Sequence, residues 1–433
     1  MKILIILPFV PLVRNSGGNQ AVINMLDYLR GRCDLTLTFP MRHHDRAGVD
    51  RIAREWPEVS LRPYKYWKYD YKYVPFKTDR DYLSGKKKMD KGRGRMLFSF
   101  FKHNVVSVNP SDVIRDNTLL MVGDIIQDCP SPFFSFVMEL VKSTEFDIVQ
   151  TEFMDFVNLS YYLPAEVRKV MVHHEIHFVR IENEVALFPD RRIGDDALFQ
   201  YAKDMELAAL RRFDDIIVLT EQDKKILEPL LPGTNIHCSP AAIPEIRPLD
   251  FKTCGKEFAF VGGMSHHPNL DGILWFVSEV VPELRKRMSD FKIHIVGDWG
   301  KKFVKAISKA CPEVVFDGFV DNLGSFLNGR ISIVPIRIGS GMRMKILDAV
   351  NSRSPFITTG KGVEGQDFND GVECMVCDTP DSFADAMVRL SSDTALQEKM
   401  TSKAYETLKR EYDSAAILAR RYEVYQQICK LKK

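Results

Sequence analysis

Short apolar runs alternate with segments of helical periodicity along most of the chain. The first run is Ile3 to Leu7, and Asn19 to Arg30 follows it with apolar residues three and four positions apart. The other predicted strands are Asp34 to Phe39, Ile148 to Thr151, Val170 to His173, Asp215 to Leu219, Phe258 to Gly262, Phe291 to Gly297, Val314 to Phe316, Ile331 to Pro335 and Pro355 to Thr358. Continuous apolar strands that alternate with helices predict α/β architecture with parallel, doubly wound sheets.

This alternation occurs in two blocks, which predicts two Rossmann-like domains. A chain of 433 residues also exceeds what one ordinary hydrophobic core organises. The proline-containing segment 241–256 is the predicted linker, between an N-terminal domain over 1–240 and a C-terminal domain over 257–415. Residues 416–433 are predicted to form a helix that could cross back to the N-terminal domain.

Composition narrows the class of protein without identifying it. Hydrophobic residues make up 45% and charged residues 27%, as in soluble globular proteins, and the net charge of +2 gives no reason to expect a polyanionic partner. No apolar run approaches the ~20 residues that span a bilayer. The eight cysteines fit a reducing compartment, and Cys374-x-x-Cys377 has no second pair that would make a zinc site. We therefore expect a cytoplasmic protein without a bound metal.

Positive charge is concentrated in one stretch, Tyr64 to Lys102, where lysines and arginines are interleaved with aromatic residues. This combination favours contact with an anionic membrane surface or with an acceptor that carries lipid phosphate. A solvated insertion over about 62–105 is the alternative. Single-stranded nucleic acid suits the same composition, but no fold signal supports it, so no nucleic-acid partner is expected.

The most informative motif lies where an apolar strand, Ile331 to Ile336, meets Gly339 to Gly341. A strand that runs through a glycine turn into a helix presents backbone N–H groups at the positive end of the helix dipole, where phosphate binds. The predicted first turn of that helix carries Arg343 and Lys345, and the second carries Asp348, which could accept hydrogen bonds from a ribose. The junction predicts a site for a nucleoside diphosphate.

Several segments occur in an order that resembles the family 4 glycosyltransferases, which have the two-domain GT-B fold. The resembling segments are Pro11 to Gly18, Phe260 to Gly263, His267 to Asn269, Ile295 to Asp298, Phe316 to Val320, Gly339 to Ala349 and Gly362 to Gly365. The C-terminal half matches over nearly all its length, whereas the N-terminal half matches only at Gly17-Gly18, around His174 and at Arg212 to Asp223. The resemblance implies two Rossmann-like domains facing each other across a cleft, and retaining sugar transfer from a nucleotide-diphosphate sugar without metal or other cofactor.

The resemblance also assigns roles to residues. His174 would hydrogen-bond the transferred sugar and support charge near the anomeric carbon, with His173 as the alternative. Arg343 and Lys345 would balance the leaving diphosphate, although residues two apart on a helix point about 200° apart and are not expected to meet one phosphate. The expected donor-binding residues are Gly17, Gly18, Gly262, Gly263, Phe319, Val320, Ser340, Gly341, Met342, Met344, Asp348 and Glu364.

Two positions depart from the family pattern. Gly263 stands where many members carry a phosphate-binding arginine, and Ser340 stands where many carry a glutamate. The prediction is a hexosyltransferase-type enzyme of cell-envelope polysaccharide biosynthesis, with a polysaccharide, glycolipid or lipid-linked acceptor, at the cytoplasmic membrane face. The alternatives are a nucleotide-sugar 2-epimerase of the same fold, or a non-catalytic sugar- or membrane-binding subunit with a degraded donor site.

Overall fold

The N-terminal domain is built on a seven-stranded parallel sheet. The computed structural model describes residues 1–11, 17–41, 45–65, 131–188, 191, 193–243, 246 and 249–431. The strands are β1 (Lys2–Ile6), β2 (Asp34–Met41), β3 (Ser60–Lys65), β4 (Ile148–Glu152), β5 (Lys169–His173), β6 (Asp215–Val218) and β7 (Asn235–Cys238). Their order in the sheet is β3-β2-β1-β4-β5-β6-β7.

The central strands of this sheet are buried throughout, because helices cover both of its faces. The helices are α1 (Gly17–Leu29), α2 (Arg46–Glu55), α3 (Ser131–Ser143), α4 (His177–Ala186), α5 (Ile193–Leu210) and α6 (Glu221–Leu227), with 3₁₀ turns at Met154–Tyr161 and Glu228–Leu230.

The C-terminal domain is also built on a parallel sheet, which has six strands. These are β8 (Glu257–Val261), β9 (Lys292–Val296), β10 (Val314–Gly318), β11 (Ile331–Val334), β12 (Phe356–Thr358) and β13 (Met375–Val376). Their order in the sheet is β10-β9-β8-β11-β12-β13. The helices are α7 (His267–Trp275), continued by a π-helical turn (Phe276–Val280), then α8 (Val281–Arg287), α9 (Lys301–Ala310), α10 (Leu323–Leu327), α11 (Met344–Asn351), α12 (Gly360–Val363), α13 (Pro380–Ser392) and α14 (Thr394–Glu411).

The last helix, α15 (Ser414–Lys430), packs on the first domain. Tyr425 and Ile428 are fully buried in the N-terminal core, in one cluster with residues of β1 and β2. The guanidinium of Arg421 donates from Nε to the Ser239 hydroxyl and from Nη2 to the Ser239 carbonyl oxygen, both at 2.7 Å. The domains are therefore joined both by the segment after β7 and by this returning helix.

The predicted fold class is confirmed, since both sheets are parallel and each is covered by helices. Strands β3 and β7 were missed, and most predicted strand bounds differ by one or two residues. The short strand β13 lies within Cys374-x-x-Cys377, where a short strand is expected from the sequence. The predicted insertion at 62 begins inside β3, and the remainder of the basic, aromatic stretch lies outside the described residues, as does part of the predicted linker. Within the described residues no helix is long and apolar enough to cross a membrane.

Candidate active site

A cleft of about 1310 Å³ lies between the two domains, at the carboxyl ends of their central strands. Of the residues predicted for the site, those that line the cleft are Gly17, Gly18, His174, Gly262, Gly263, Phe319, Val320, Ser340, Met342, Arg343, Met344, Lys345 and Asp348. The tertiary structure therefore brings residues far apart in the sequence to one cavity.

The glycine-rich junction is longer than the sequence pattern predicted. Strand β11 ends at Val334 and helix α11 begins only at Met344, so Arg343 occupies the N-cap position and not the first helical turn. Gly339 has φ 112° and Gly341 has φ 74°, a backbone region that side chains with a Cβ rarely enter. These two glycines let the chain turn sharply before the helix starts.

This loop is docked against the N-terminal domain. A Cβ on Gly341 would lie 2.1 Å from the carbonyl oxygen of His174, so the two backbones are in direct contact. The Ser340 hydroxyl accepts a hydrogen bond from Ile176 N at 2.6 Å and lies 3.3 Å from Ile176 O, to which it donates. Ser340 thus joins the two domains, a use of its side chain that the family comparison did not suggest.

Arg343 is buried beneath the same loop. Its Nη1 donates to the carbonyl oxygen of Ser340 and, at 2.7 Å, to that of Gly341. Nε and Nη2 have no hydrogen-bond partner among the described residues. Burial lowers the pKa of this guanidinium, and the carboxylates of Glu175 and Asp223 oppose that shift. Arg343 therefore holds the loop with one nitrogen, and its two other nitrogens remain without a hydrogen-bond partner among the described residues.

Lys345 and Asp348 form a second charged group on α11. Lys345 Nζ donates to Oδ1 of Asn269 and lies 4.3 Å from the centre of the Phe260 ring. Burial lowers the pKa of Lys345 to about 7, and the nearby charge of Arg343 adds to the shift. Burial raises the pKa of Asp348 to about 7, against the opposing effect of Lys345.

Asn269 is a site residue that sequence reasoning did not select. Its Nδ2 donates to the Gly263 carbonyl oxygen at 2.9 Å, which leaves Oδ1 to orient the Lys345 ammonium. The signal was present, since Asn269 belongs to one of the segments that resemble the family, but an amide at the start of a helix has many structural uses.

The pH dependence of anion binding tests this arrangement. Between pH 7 and 9 Lys345 loses its positive charge, which disfavours a bound diphosphate. We expect the affinity for a nucleoside diphosphate, measured by calorimetry, to fall by up to about tenfold per pH unit across this range. In Lys345→Met the fall should be much shallower, and an equally steep fall in that variant would contradict the assignment.

His174 lies on the N-terminal side of the cleft. Its Nε2 is 2.7 Å from Oε2 of Glu152, and its ring stacks on Phe153 with centroids 3.9 Å apart. The alternative, His173, has only 1% of its side chain exposed and pairs at 2.8 Å with Glu206, which also accepts the backbone N–H of α4. The geometry therefore favours His174 as the histidine available to a ligand.

Two predicted site residues lie outside the cleft lining. The Glu364 carboxylate pairs with the Lys361 ammonium group at 2.7 Å. Glu364 is not among the residues that line the cleft. Gly341 is covered by the backbone of His174. Phe319, by contrast, is 74% exposed at the edge of the cleft, which suits a residue that contacts a ligand through its backbone and ring.

No group of three or more metal-ligating His, Cys, Asp or Glu side chains occurs in the part of the chain that the structure describes. The cationic side chains of arginine and lysine that line the cleft are Arg343 and Lys345, and the acidic ones are Asp155, Glu175, Asp298, Asp321 and Asp348. The N-terminal ends of α1 and α11 also lie at the cleft and add the positive ends of their helix dipoles.

Comparisons of the sequence with known proteins find two matches. Residues 255–393 match the family described as Glycosyl transferases group 1. A Klebsiella pneumoniae protein, described as an uncharacterized 44.6 kDa protein in the cps region, is 25% identical over 195 residues, which cover 42% of this chain. The match spans 49% of that protein, so the chain matches about half the length of this curated relative.

Solved structures extend the likeness to the whole chain. A TarM variant from S. aureus, in complex with fondaparinux, alpha-GlcNAc-glycerol and UDP, has a TM-score of 0.65 at 12% identity, covering 98% of this chain and 99% of its own. Sucrose-phosphate synthase from Thermosynechococcus elongatus has a TM-score of 0.64 at 11% identity, covering 99% of each chain. HepE from Anabaena, in complex with UDP, has a TM-score of 0.61 at 11% identity, covering 99% and 100%.

The chain has the GT-B fold. Its predicted resemblance to the group 1 glycosyltransferases is also confirmed. The family match falls on the C-terminal domain.

Proposed function

We propose that this protein is a retaining glycosyltransferase that uses a nucleotide-diphosphate sugar. The observation that carries the proposal is the meeting of two sets of groups across one cleft. The loop and helix from Gly339 to Asp348 face the N-terminal end of α1 and the imidazole of His174. The family match over 255–393 supports a donor site on the C-terminal side.

UDP is the first donor base to test. The solved complexes of TarM and HepE each contain UDP, and this chain shares their fold. The cleft offers the matching chemistry, because Arg343 and Lys345 supply positive charge for a diphosphate and Asp348 supplies a carboxylate for ribose hydroxyls.

The chemistry follows from which charges develop. As the bond from the anomeric carbon to the diphosphate oxygen breaks, negative charge grows on the leaving phosphate, where Arg343, Lys345 and the N-terminal end of α11 stabilise it. The acceptor hydroxyl forms the new bond on the same face of the sugar. Its proton passes to the leaving phosphate, so the step requires neither a protein nucleophile nor a metal.

A thermal-shift screen with UDP-, GDP- and ADP-sugars tests donor binding, and product analysis with and without acceptor tests the reaction. We expect stabilisation by one class of nucleotide sugar, transfer that depends on an added saccharide or lipid-linked acceptor, and full activity in EDTA. Product without acceptor would favour a 2-epimerase. Absence of binding by every nucleotide would favour a non-catalytic subunit.

The acceptor side is proposed to lie close to a membrane, because Tyr64 to Lys102 combines lysine, arginine and aromatic residues. We expect the protein to float with liposomes that contain anionic lipid and to remain behind with neutral ones. Deletion of Lys86 to Arg95 should abolish most of this flotation. Unchanged flotation after the deletion would remove this stretch as the membrane contact.

A further inference from the structure

A buried carboxylate stands directly behind the histidine of the cleft. Glu152, the last residue of β4, has no exposed surface, and its Oε2 lies 2.7 Å from Nε2 of His174. Its other oxygen, Oε1, accepts a hydrogen bond from Gln150 Nε2 at 2.7 Å. Both oxygens of this carboxylate are therefore occupied, and one of them by the imidazole.

The cation of α15 that lies near Glu152, Arg421, is hydrogen-bonded to a different residue. Arg421 and Glu152 line the same small cavity of about 20 Å³, but the Arg421 guanidinium is hydrogen-bonded to Ser239. Among the described residues the imidazole is the only ionisable hydrogen-bond partner of the Glu152 carboxylate. The pairing with His174 is thus the main polar use of this buried group.

Phe153 fixes the ring from a second direction. It stacks on the His174 imidazole with an interplanar angle of 11°, and its own φ of 63° and ψ of 173° lie in a region that is essentially confined to glycine. Such a conformation is strained and persists only where the surroundings impose it. Glu152 and Phe153 together leave the imidazole little rotational freedom.

The pairing also decides which nitrogen carries the proton. Because an ionised carboxylate only accepts, a neutral imidazole paired with it carries its proton on Nε2, and Nδ1 of that tautomer has a free lone pair. Nδ1 is buried and has no hydrogen-bond partner among the described residues, while the residue itself lines the cleft. Nδ1 is thus the ring atom whose hydrogen bond remains unmade, and a hydroxyl group of a ligand in the cleft is the partner that we test for it.

We propose that Glu152 is a positioning residue, which holds His174 as the Nε2–H tautomer so that Nδ1 accepts a hydroxyl of the sugar that is transferred or of its acceptor. The naming of a sugar hydroxyl rests on the proposed function. The tautomer and its dependence on Glu152 do not, because both are properties of the ligand-free protein.

The first test is a spectroscopic one. Full-length protein labelled with ¹⁵N at histidine, with the His174 signals assigned by their loss in His174→Gln, should show Nε2 protonated and Nδ1 unprotonated. In Glu152→Ala we expect the two nitrogens to move towards a mixture of tautomers. A proton on Nδ1 in the wild type, or ring signals unchanged in Glu152→Ala, would overturn the proposal.

The second test separates positioning from folding. Glu152→Ala and the isosteric Glu152→Gln should lower kcat, the former on the order of 10²-fold, while KM for the nucleotide sugar changes less than about threefold. Glu206→Gln is the matched control, since it removes the carboxylate from the neighbouring His173 pair. That control should lower the melting temperature but keep kcat and the His174 ring signals close to wild type.

These outcomes distinguish the two proposals. If the wild type turns over no nucleotide sugar, the proposed function fails, and the ring-nitrogen measurement still decides whether Glu152 positions His174. If the wild type is active and Glu152→Ala, folded by circular dichroism, keeps its kcat, the positioning role is wrong although the enzyme assignment holds. If neither Glu152 variant folds, the wild-type tautomer decides.

Discussion

Gly341→Ala is expected to lower sugar transfer by at least about 10²-fold and to separate the two domains. The added Cβ would lie 2.1 Å from the His174 carbonyl oxygen, and that neighbour is backbone and cannot rotate away. The loop must then withdraw by more than 1 Å from the N-terminal domain, which displaces Arg343 and the start of α11 from the donor. A misplacement of about 1 Å at a reacting centre costs on the order of 10²-fold.

Gly371→Ala provides a matched control. Gly371 has φ 73°, almost the same as the 74° of Gly341, but nothing lies within 4 Å of its added Cβ. Both variants carry the same backbone penalty, about 1–2 kcal/mol for a left-handed residue, and only one meets the other domain. Small-angle scattering should show expansion for Gly341→Ala alone. Equal activity in the two variants would contradict the proposed contact between the domains.

Arg343→Ala is expected to reduce kcat on the order of 10²- to 10³-fold, the scale for loss of a group that stabilises charge in a transition state. Two effects add. The variant removes the Nη1 hydrogen bonds to the Ser340 and Gly341 carbonyl oxygens, which hold the loop. It also removes the cation that we propose for the leaving diphosphate. Steady-state kinetics with the donor identified by the screen would measure the loss.

Arg343→Lys separates these two effects. It keeps a positive charge but has no second nitrogen with which to hold the loop and bind the anion at once, so we expect partial recovery only. Arg287→Ala serves as the control, since that arginine is bound to Glu283 and Asp381 on the far surface of the C-terminal domain. An Arg343→Ala enzyme with the turnover of Arg287→Ala would remove Arg343 from the reaction.

The sequence predicted those strands that consist of a continuous apolar run. Runs such as Ile3 to Leu7 are buried on both faces, so apolar continuity alone marks them as central strands. Strand β3 was missed because it lies at the sheet edge with a partly exposed, mixed sequence that contains Pro63. A pattern of buried residues says little about an edge strand, since one of its sides needs no apolar cover.

The site was predictable to the level of segments but not of contacts. Residue type and spacing alone predict a phosphate-binding helix at Gly339 to Gly341, a junction that Lys345 and Asp348 follow. The position of Arg343 before the helix, however, depends on where β11 ends. Local spacing cannot show that, because the same residues would also fit a shorter turn.

The sequence by itself determined two parallel α/β domains and the resemblance to the group 1 glycosyltransferases. It also determined the strand-glycine-helix junction at Gly339 to Gly341, which predicts a nucleotide site in the second domain. Only the tertiary structure decided that His173 is paired with Glu206, that Ser340 binds Ile176 across the domain boundary, and that Glu152 stands behind His174. The physical reason is that strand and helix periodicity are local properties of a chain. The contact between Glu152 and His174, 22 positions apart, forms when β4 and β5 pair within one sheet. The contact between Ile176 and Ser340, 164 positions apart, forms only when the two domains close on one another.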